Sequence, residues 1–447
     1  MSANSKNKKW FGILVVVFWY LAWLGLAQAG TNWLEKQKLL ASDGAAQDFF
    51  GWSVSISGDY AIVGAYFDDD KGSSSGSAYI FWWDGTNWLQ QAKLVPADGA
   101  VGNYFGCSVS ISGDYAIVGA FGDEDNGYAS GSAYIFKRDG AAWVQQSKLL
   151  ASDGTANDFF GYSVSISGGY AIVGADSDDD NGSNSGSAYI FKRTLKYIPP
   201  GGFVWVWEEQ AKLLASDGDA SDFFGRSVSI SGDYAIVGAD GDDDNGSGSG
   251  SAYIFRWDGT NWVQQPKLLA SDGAAGDYFG YSVSISGDYA IVGAGGDDDR
   301  GRESGSAYIF KRVGVAWVQQ PKLLASSGDA DDIFGYSVSI SGDYAIVGAY
   351  NAYYDKGSAY IFKRDGLEWL QQPKLVASDG ANNDNFGISV STDGSHAVVG
   401  AYKDDDNGTD SGSAYVFVRC PTADLSGDCF IDFADFAIMA DQWLQGD

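Results

Sequence analysis

The chain predicts an all-β fold, a seven-bladed β-propeller of four-stranded blades, and three observations predict it. One unit recurs seven times: Phe-Gly, then Ser-Val-Ser-Ile-Ser-Gly-Asp-Tyr-Ala-Ile-Val-Gly-Ala with small variations, an acidic loop, and Gly-Ser-Ala-Tyr-Ile-Phe. The Phe-Gly pairs begin at Phe50, Phe105, Phe160, Phe224, Phe279, Phe334 and Phe386, a period of propeller-blade length written in strands. The third observation is a displaced strand. The last repeat stops after Ala414 to Val418, while Trp33 to Leu40, which matches Trp88 to Val95 and Trp262 to Leu269, precedes the first Phe-Gly.

Taken in order, the elements have local reasons. Lys6, Lys8 and Lys9 precede an apolar run from Trp10 to Leu26 and a small-x-small site at Ala27-Gln28-Ala29, so residues 1–29 read as a signal peptide and the chain as secreted or held at the cell surface. Left uncleaved, the run is long enough to anchor the chain in a membrane. Ser53 to Ser57 alternates small polar residues with Val54 and Ile56, the period-2 pattern of a strand with one apolar face. Gly58-Asp59 turns this strand A into strand B, Tyr60 to Ala65; Ser77 to Phe81 and Trp88 to Leu94 supply strands C and D. Such a unit cannot bury both faces alone, so the units stack around an axis with strand A innermost, where Ser, Gly and Ala suit the crowding. Trp33 to Leu40 then pairs into the last blade and closes the ring, removing an exposed edge. Residues 30–419 make the propeller and 420–447 a short loop-helix module.

Asp and Glu number 58 against 28 Lys and Arg, a formal charge of −30, which excludes electrostatic binding of nucleic acid and makes cations the natural partners. In a propeller the A-B and C-D turns leave one face, and the B-C loops and D-to-A crossovers leave the other. The acid is sorted to that second face, in B-C loops such as Asp176 to Gly182 and crossovers such as Asp153 to Asp158. Asp176, Asp178, Asp180, Asp240, Asp242, Asp244, Asp404 and Asp406 are candidate calcium ligands, because several carboxylates in one loop suit a hard cation. The alternative is a solvated, solubilising rim. Blade three carries an insertion around Thr194 to Val206, and blade six has Tyr350, Tyr353 and Tyr354 in a shortened B-C loop. These tyrosines are candidate ligand contacts, since an aromatic body with a polar tip suits a wet interface; loop drift is the alternative.

At the Phe-Gly, the Val-Gly-Ala and the Gly-Ser-Ala-Tyr-Ile-Phe, the chain resembles the FG-GAP repeats of the integrin α-subunit propeller, more closely the bacterial branch of that family. The resemblance implies a seven-bladed, often extracellular and calcium-binding propeller that serves adhesion or ligand recognition. Two departures matter. The Pro of the Gly-Ala-Pro signature is replaced by Tyr66, Phe121, Asp176, Asp240, Gly295, Tyr350 and Tyr402, and the A-B turn is only Ser57-Gly58-Asp59, too short for the calcium loops integrins carry there.

The tail spaces oxygen ligands as a calcium loop does. Asp424, Ser426, Asp428, Asp432 and Asp435 fall at loop positions 1, 3, 5, 9 and 12, and Phe430 offers its carbonyl at position 7. Phe433 to Leu444 follows with helical periodicity. The pair resembles one dockerin calcium repeat, which implies calcium and a cohesin-like or envelope partner, although Cys429 stands where the sharp-turn Gly belongs and a second repeat is absent from the sequence. Cys420 and Cys429 bracket this acidic segment in an exported chain and are expected to form a disulfide.

His396, the only histidine, replaces a turn Tyr, and no Ser-His-Asp or His-metal set can be assembled. Carboxylates abound, but the stretch from Ser-Val to Val-Gly-Ala is identical in five of the seven blades, and a catalytic centre needs an asymmetric, preorganised cluster. The expectation is a non-enzymatic, calcium-dependent binding or adhesion protein that recognises an extracellular protein or polysaccharide through its acidic face. A polysaccharide-acting enzyme and a structural envelope component are the alternatives.

Overall fold

A computed structural model describes residues 33–199, 201–352, 356–421, 429, 433 and 435–439. Seven four-stranded antiparallel sheets make the blades of a β-propeller. Blade one comprises Ser53–Ser57, Tyr60–Ala65, Ser77–Trp83 and Trp88–Leu94, in that spatial order. Blade seven is completed by the other end of the chain, with Trp33–Leu39 beside Ser413–Arg419. Among the described residues no helix is long and apolar enough to cross a membrane.

Strand D is the outer edge of each blade, and proline marks it. Pro266 and Pro321 shorten the D strands of blades four and five to Trp262–Gln264 and Ala316–Gln319, after which Leu268 and Leu323 rejoin as isolated bridges to Ala252 and Ala307. A missing N–H is tolerated there because nothing pairs beyond an edge.

The core lies between blades. Ile62 and Ile80 of blade one pack with Phe105, Val109, Ile111, Tyr134 and Phe136 of blade two. Phe105 is fully buried, edge-on to Tyr134 at 5.5 Å, and bridges to Gly76 of the preceding blade. Its partner Gly106 has φ +94°, and a Cβ there would lie 2.3 Å from the Ser77 carbonyl oxygen. The Phe-Gly pair is therefore a joint between neighbours: the ring fills the interface and the glycine lets two backbones touch. Phe50 makes the same bridge to Gly412, which joins blade one to blade seven.

Strand A explains the repeated serines. As innermost strand it has an unpaired edge, and each blade's serine hydroxyl accepts the N–H of the next blade's strand A: Ile111 to Ser55, Ile166 to Ser110, Ile230 to Ser165, Ile285 to Ser229, Ile340 to Ser284, Thr392 to Ser339 and Ile56 to Ser391, at 3.1–3.2 Å. The belt runs once around the axis and closes on itself. Serine is small enough for the inner radius and satisfies a donor that water would otherwise have to reach.

Glu35–Phe417 is one compact unit, and Val418 onward belongs with the N-terminal residues to a second. In that second unit Cys420 and Cys429 are joined by a disulfide, with Cα atoms 4.5 Å apart, and residues 435–439 are helical. Phe436 and Met439 in this helical segment are exposed.

Candidate functional site

The acidic rim carries its own cations. Lys93 of strand D reaches Asp43 of the crossover at 2.8 Å and Asp68 and Asp70 of the B-C loop at 2.9 and 2.6 Å. Tyr79 completes the cluster, its hydroxyl 2.8 Å from Asp68 and 3.0 Å from Asp43. The same set recurs around Lys148, Lys212, Lys267, Lys322 and Lys38, each against three carboxylates. Burial works against each ammonium, but the carboxylate hydrogen bonds outweigh it and hold these lysines above their ordinary pKa.

This arrangement bears on calcium at the rim. Asp178, Asp180, Asp242, Asp244, Asp404 and Asp406 do converge, but on an ammonium at 2.6–3.0 Å, in the position a metal ion would take. The loops also spend carboxylate oxygens on their own backbone: Asp178 accepts the N–H of Asp180, and Asp179 that of Asn184. These residues do not fit calcium with lysine in place. The serine after each acidic run shapes the turn, as Ser185 does by donating to the Asp178 carbonyl and accepting the Asn181 N–H.

Blade six departs from the pattern. Ser327 stands where the other crossovers have Asp, 3.2 Å from the Tyr360 hydroxyl, and burial lowers the pKa of Lys374 with Asp332 pulling the other way. Tyr350 packs on Tyr336 at 4.5 Å, whereas Tyr353 and Tyr354 lie outside the described residues, as do Asp424, Ser426, Asp428, Phe430 and Asp432 of the tail loop and the signal segment. Asp435 is described and buried.

Asp176 and Asp240 are not rim residues. They follow Val-Gly-Ala, and the fold sets that position beside the one after Phe-Gly, occupied by Trp52, Cys107, Tyr162, Arg226, Tyr281, Tyr336 and Ile388. Both positions vary from blade to blade and together form a collar at the start of strand A. On one side Trp52 packs tilted against Tyr66 at 4.8 Å and edge-to-face with Tyr402 at 5.1 Å. On another, Tyr281 lies 4.8 Å from Tyr336, with their hydroxyls 3.0 Å apart. Between them Arg226 faces Tyr281 at 5.1 Å and Tyr162 at 5.8 Å. A cavity of about 250 Å³ is lined by Trp52, Tyr281, Tyr336 and the inner serines and valines.

The collar's charges are poorly satisfied. Arg226 Nε is 3.6 Å from Asp240 Oδ2, an ion pair too long for a hydrogen bond, and both Nε and Asp240 Oδ1 are buried without a hydrogen-bond partner. Burial pushes Asp176 up to about 6 and Asp240 upward as well, against the pull of Arg226. Buried Cys107 is likewise pushed up to about 12.

Two groups escaped the sequence reading. The lysines were legible, since Lys38, Lys93, Lys148, Lys212, Lys267, Lys322 and Lys374 recur in register with the acid. The collar was not, because its two positions lie some fourteen residues apart in each repeat and only strand pairing, as in Ser53 opposite Gly64, brings them together.

Comparison with known proteins adds the following. The model of the FG-GAP repeat family matches residues 33–81, 88–136, 143–191, 207–255, 262–310, 317–362 and 369–417. No curated protein matches the sequence. Among solved structures, a Bacteroides uniformis protein proposed to be a 6-phosphogluconolactonase shares 13% identity at a TM-score of 0.48, over 73% of this chain and 85% of its own, a likeness that carries no functional argument.

Proposed function

The chain belongs to the FG-GAP repeat family, and from that premise we propose that it is an exported, non-enzymatic binding or adhesion protein. It recognises an extracellular protein or polysaccharide through the face that bears its B-C loops and crossovers. One observation carries the reading: at the centre of that face the two collar positions differ from blade to blade, while strands A, B and C beside them repeat almost unchanged. A scaffold is repeated and a recognition surface is individual. With a lysine ammonium already set among the three carboxylates of each of six rim clusters, the calcium expectation narrows to the tail loop of Asp424, Ser426, Asp428, Phe430, Asp432 and Asp435, which serves attachment.

The test is adhesion of beads coated with the full chain to protein-coated and polysaccharide-coated surfaces. A Trp52→Ala/Tyr281→Ala variant is expected to lose adhesion, and Trp205→Ala, in the exposed blade-three hairpin, to keep it. Equal adhesion by all three sinks the proposal. The buried Asp176 and Asp240 favour one second reading, acid-base hydrolysis of polysaccharide. Release of reducing ends that Asp176→Asn abolishes would establish it, and none is expected.

A further inference from the structure

We infer that the blade-three C-D hairpin dips into the surface of a zwitterionic phospholipid bilayer, with Arg193 set at the lipid phosphates. The two strands of this hairpin, Ser187–Ile198 and Gly202–Leu213, outrun those of the other blades. Beyond the pair of Arg193 with Trp207, pairing continues for five residues to Ile198 opposite Gly202. Beyond the matching pair of Arg138 with Trp143, blade two continues for one, Asp139 opposite Ala142. The blade-three tip therefore stands about 13 Å further out, at ~3.3 Å per residue.

This tip is apolar on both faces. Leu195 pairs with Trp205 and Tyr197 with Phe203 on one face, all four more than half exposed, and Val204 is exposed on the other. From Tyr197 to Val206 the sequence carries no charge. Charge gathers at the base, in Lys192, Arg193, Glu208 and Glu209, and Lys196 bends back to it with its ammonium 2.6 Å from Glu208, as a lysine does at a membrane interface. A protein partner would cover one face and leave the other wet, whereas a bilayer surface surrounds both. Tyr197 and Phe203 meet edge-on at 62°, which gives no flat platform for a sugar ring.

Arg193 is an independent observation. Arg138, Arg312 and Arg364 each pair with the aspartate of their own A-B turn, Asp114, Asp288 and Asp343. In blade three that residue is Gly169. The Arg193 N–H still reaches the Gly169 carbonyl at 2.8 Å, as the Arg138 N–H reaches that of Asp114, so the backbone is the same and only the carboxylate differs. A Cβ on Gly169 would meet nothing within 4 Å. The guanidinium lies between Tyr115 and Trp205, 4.8 and 4.7 Å from their ring centroids, and no carboxylate among the described residues forms an ion pair with it. An anionic acceptor suits this position. Arg193 sits four residues, about 13 Å, behind the pair of Tyr197 with Phe203, so rings sunk about 5–10 Å into the boundary of headgroups and acyl chains bring it to the phosphates. The formal charge of −30 selects against an anionic bilayer. Because C-D hairpins leave the face opposite the acidic rim, attachment here keeps that rim open to partners.

The experiment places an environment-sensitive dye on the full chain at Val204→Cys and, as control, at Val315→Cys, exposed in the C-D turn of blade five. Cys107 is buried and Cys420 and Cys429 are bridged, so none of the three takes the dye. Phosphatidylcholine vesicles are expected to shift the emission at position 204 to the blue and to leave position 315 unchanged. Phe203→Ser with Trp205→Ser should raise the lipid concentration at half-shift about tenfold. Gly169→Asp, which returns to Arg193 the aspartate its counterparts have, should raise it about fivefold, and melting temperatures should stay close to the parent in both variants. Phosphatidylglycerol added to the vesicles should weaken the shift. No shift at position 204, even where residues 10–26 carry the chain to the vesicles, overturns the inference. An equal shift at both positions, or one that requires phosphatidylglycerol, does the same. A shift produced by dextran or laminarin without lipid would make the hairpin a sugar site instead, and a Gly169→Asp variant that binds like the parent would overturn the part given to Arg193.

Discussion

Lys148 stands among Asp98, Asp123 and Asp125 where a divalent ion would bring the same three carboxylates together. Removing it leaves like charges facing one another around the buried Asp123. For a fully buried pair that costs about 3–5 kcal/mol; Lys148 keeps some exposure, and roughly 2–3 kcal/mol is expected for Lys148→Ala by urea denaturation. The variant also has an oxygen-lined vacancy of the kind calcium occupies. Millimolar calcium should therefore raise its melting temperature by mass action while leaving the parent's rim unaffected. A parent that is stabilised by calcium even without residues 420–447 would contradict the assignment of lysine as the rim's resident cation.

At the level of elements, the order of strands was written plainly in the sequence because each strand repeats seven times and carries its own turn. The closing strand was legible for the same reason: Trp33 to Leu39 copies Trp88 to Leu94 but lacks a strand A before it. What repetition hides is whatever differs between copies. Asp240 reads as a calcium ligand in the sequence until strand pairing sets it beside Arg226, and the reach of the strand D lysine to the crossover aspartate shows only in the structure. Closure makes a direct prediction. Deleting residues 33–39 leaves blade seven with three strands and exposes the edge of Ser413–Arg419, so the truncated protein should aggregate or melt far below the parent. A circular permutant that carries these seven residues after strand C of blade seven should fold and regain most of the melting temperature. Within the belt, Ser229→Ala strips the acceptor from the Ile285 N–H and should cost about 1 kcal/mol, read as a shift in urea midpoint.

For the whole molecule, two families of aspartate set opposite pH dependences. Burial pushes Asp48, Asp176 and Asp222 up to about 6, and raises Asp158, Asp277, Asp332 and Asp384 as well. In the unfolded chain these groups titrate near 3.9, so between roughly pH 6 and 4 the native state holds protons that the unfolded state has released, and stability rises as pH falls. The second family is the reverse. Burial alone would raise Asp43, Asp98, Asp153, Asp272 and Asp379, but lysine ammonium groups hold them below the usual carboxylate range. Their contribution is present above about pH 4 and is lost as pH falls further. Urea midpoints should therefore increase from pH 7.5 to 5 and drop again by pH 3. Part of the first rise comes from relief of general repulsion in a chain of charge −30, and salt separates the two causes, because it screens charges across the surface far more than a buried carboxylate. At high ionic strength the rise between pH 7.5 and 5 should shrink but survive, and Asp48→Asn should reduce what survives. A midpoint that is flat over this range at high salt would show that the buried aspartates stay ionised in the native state down to pH 5, with no upward shift.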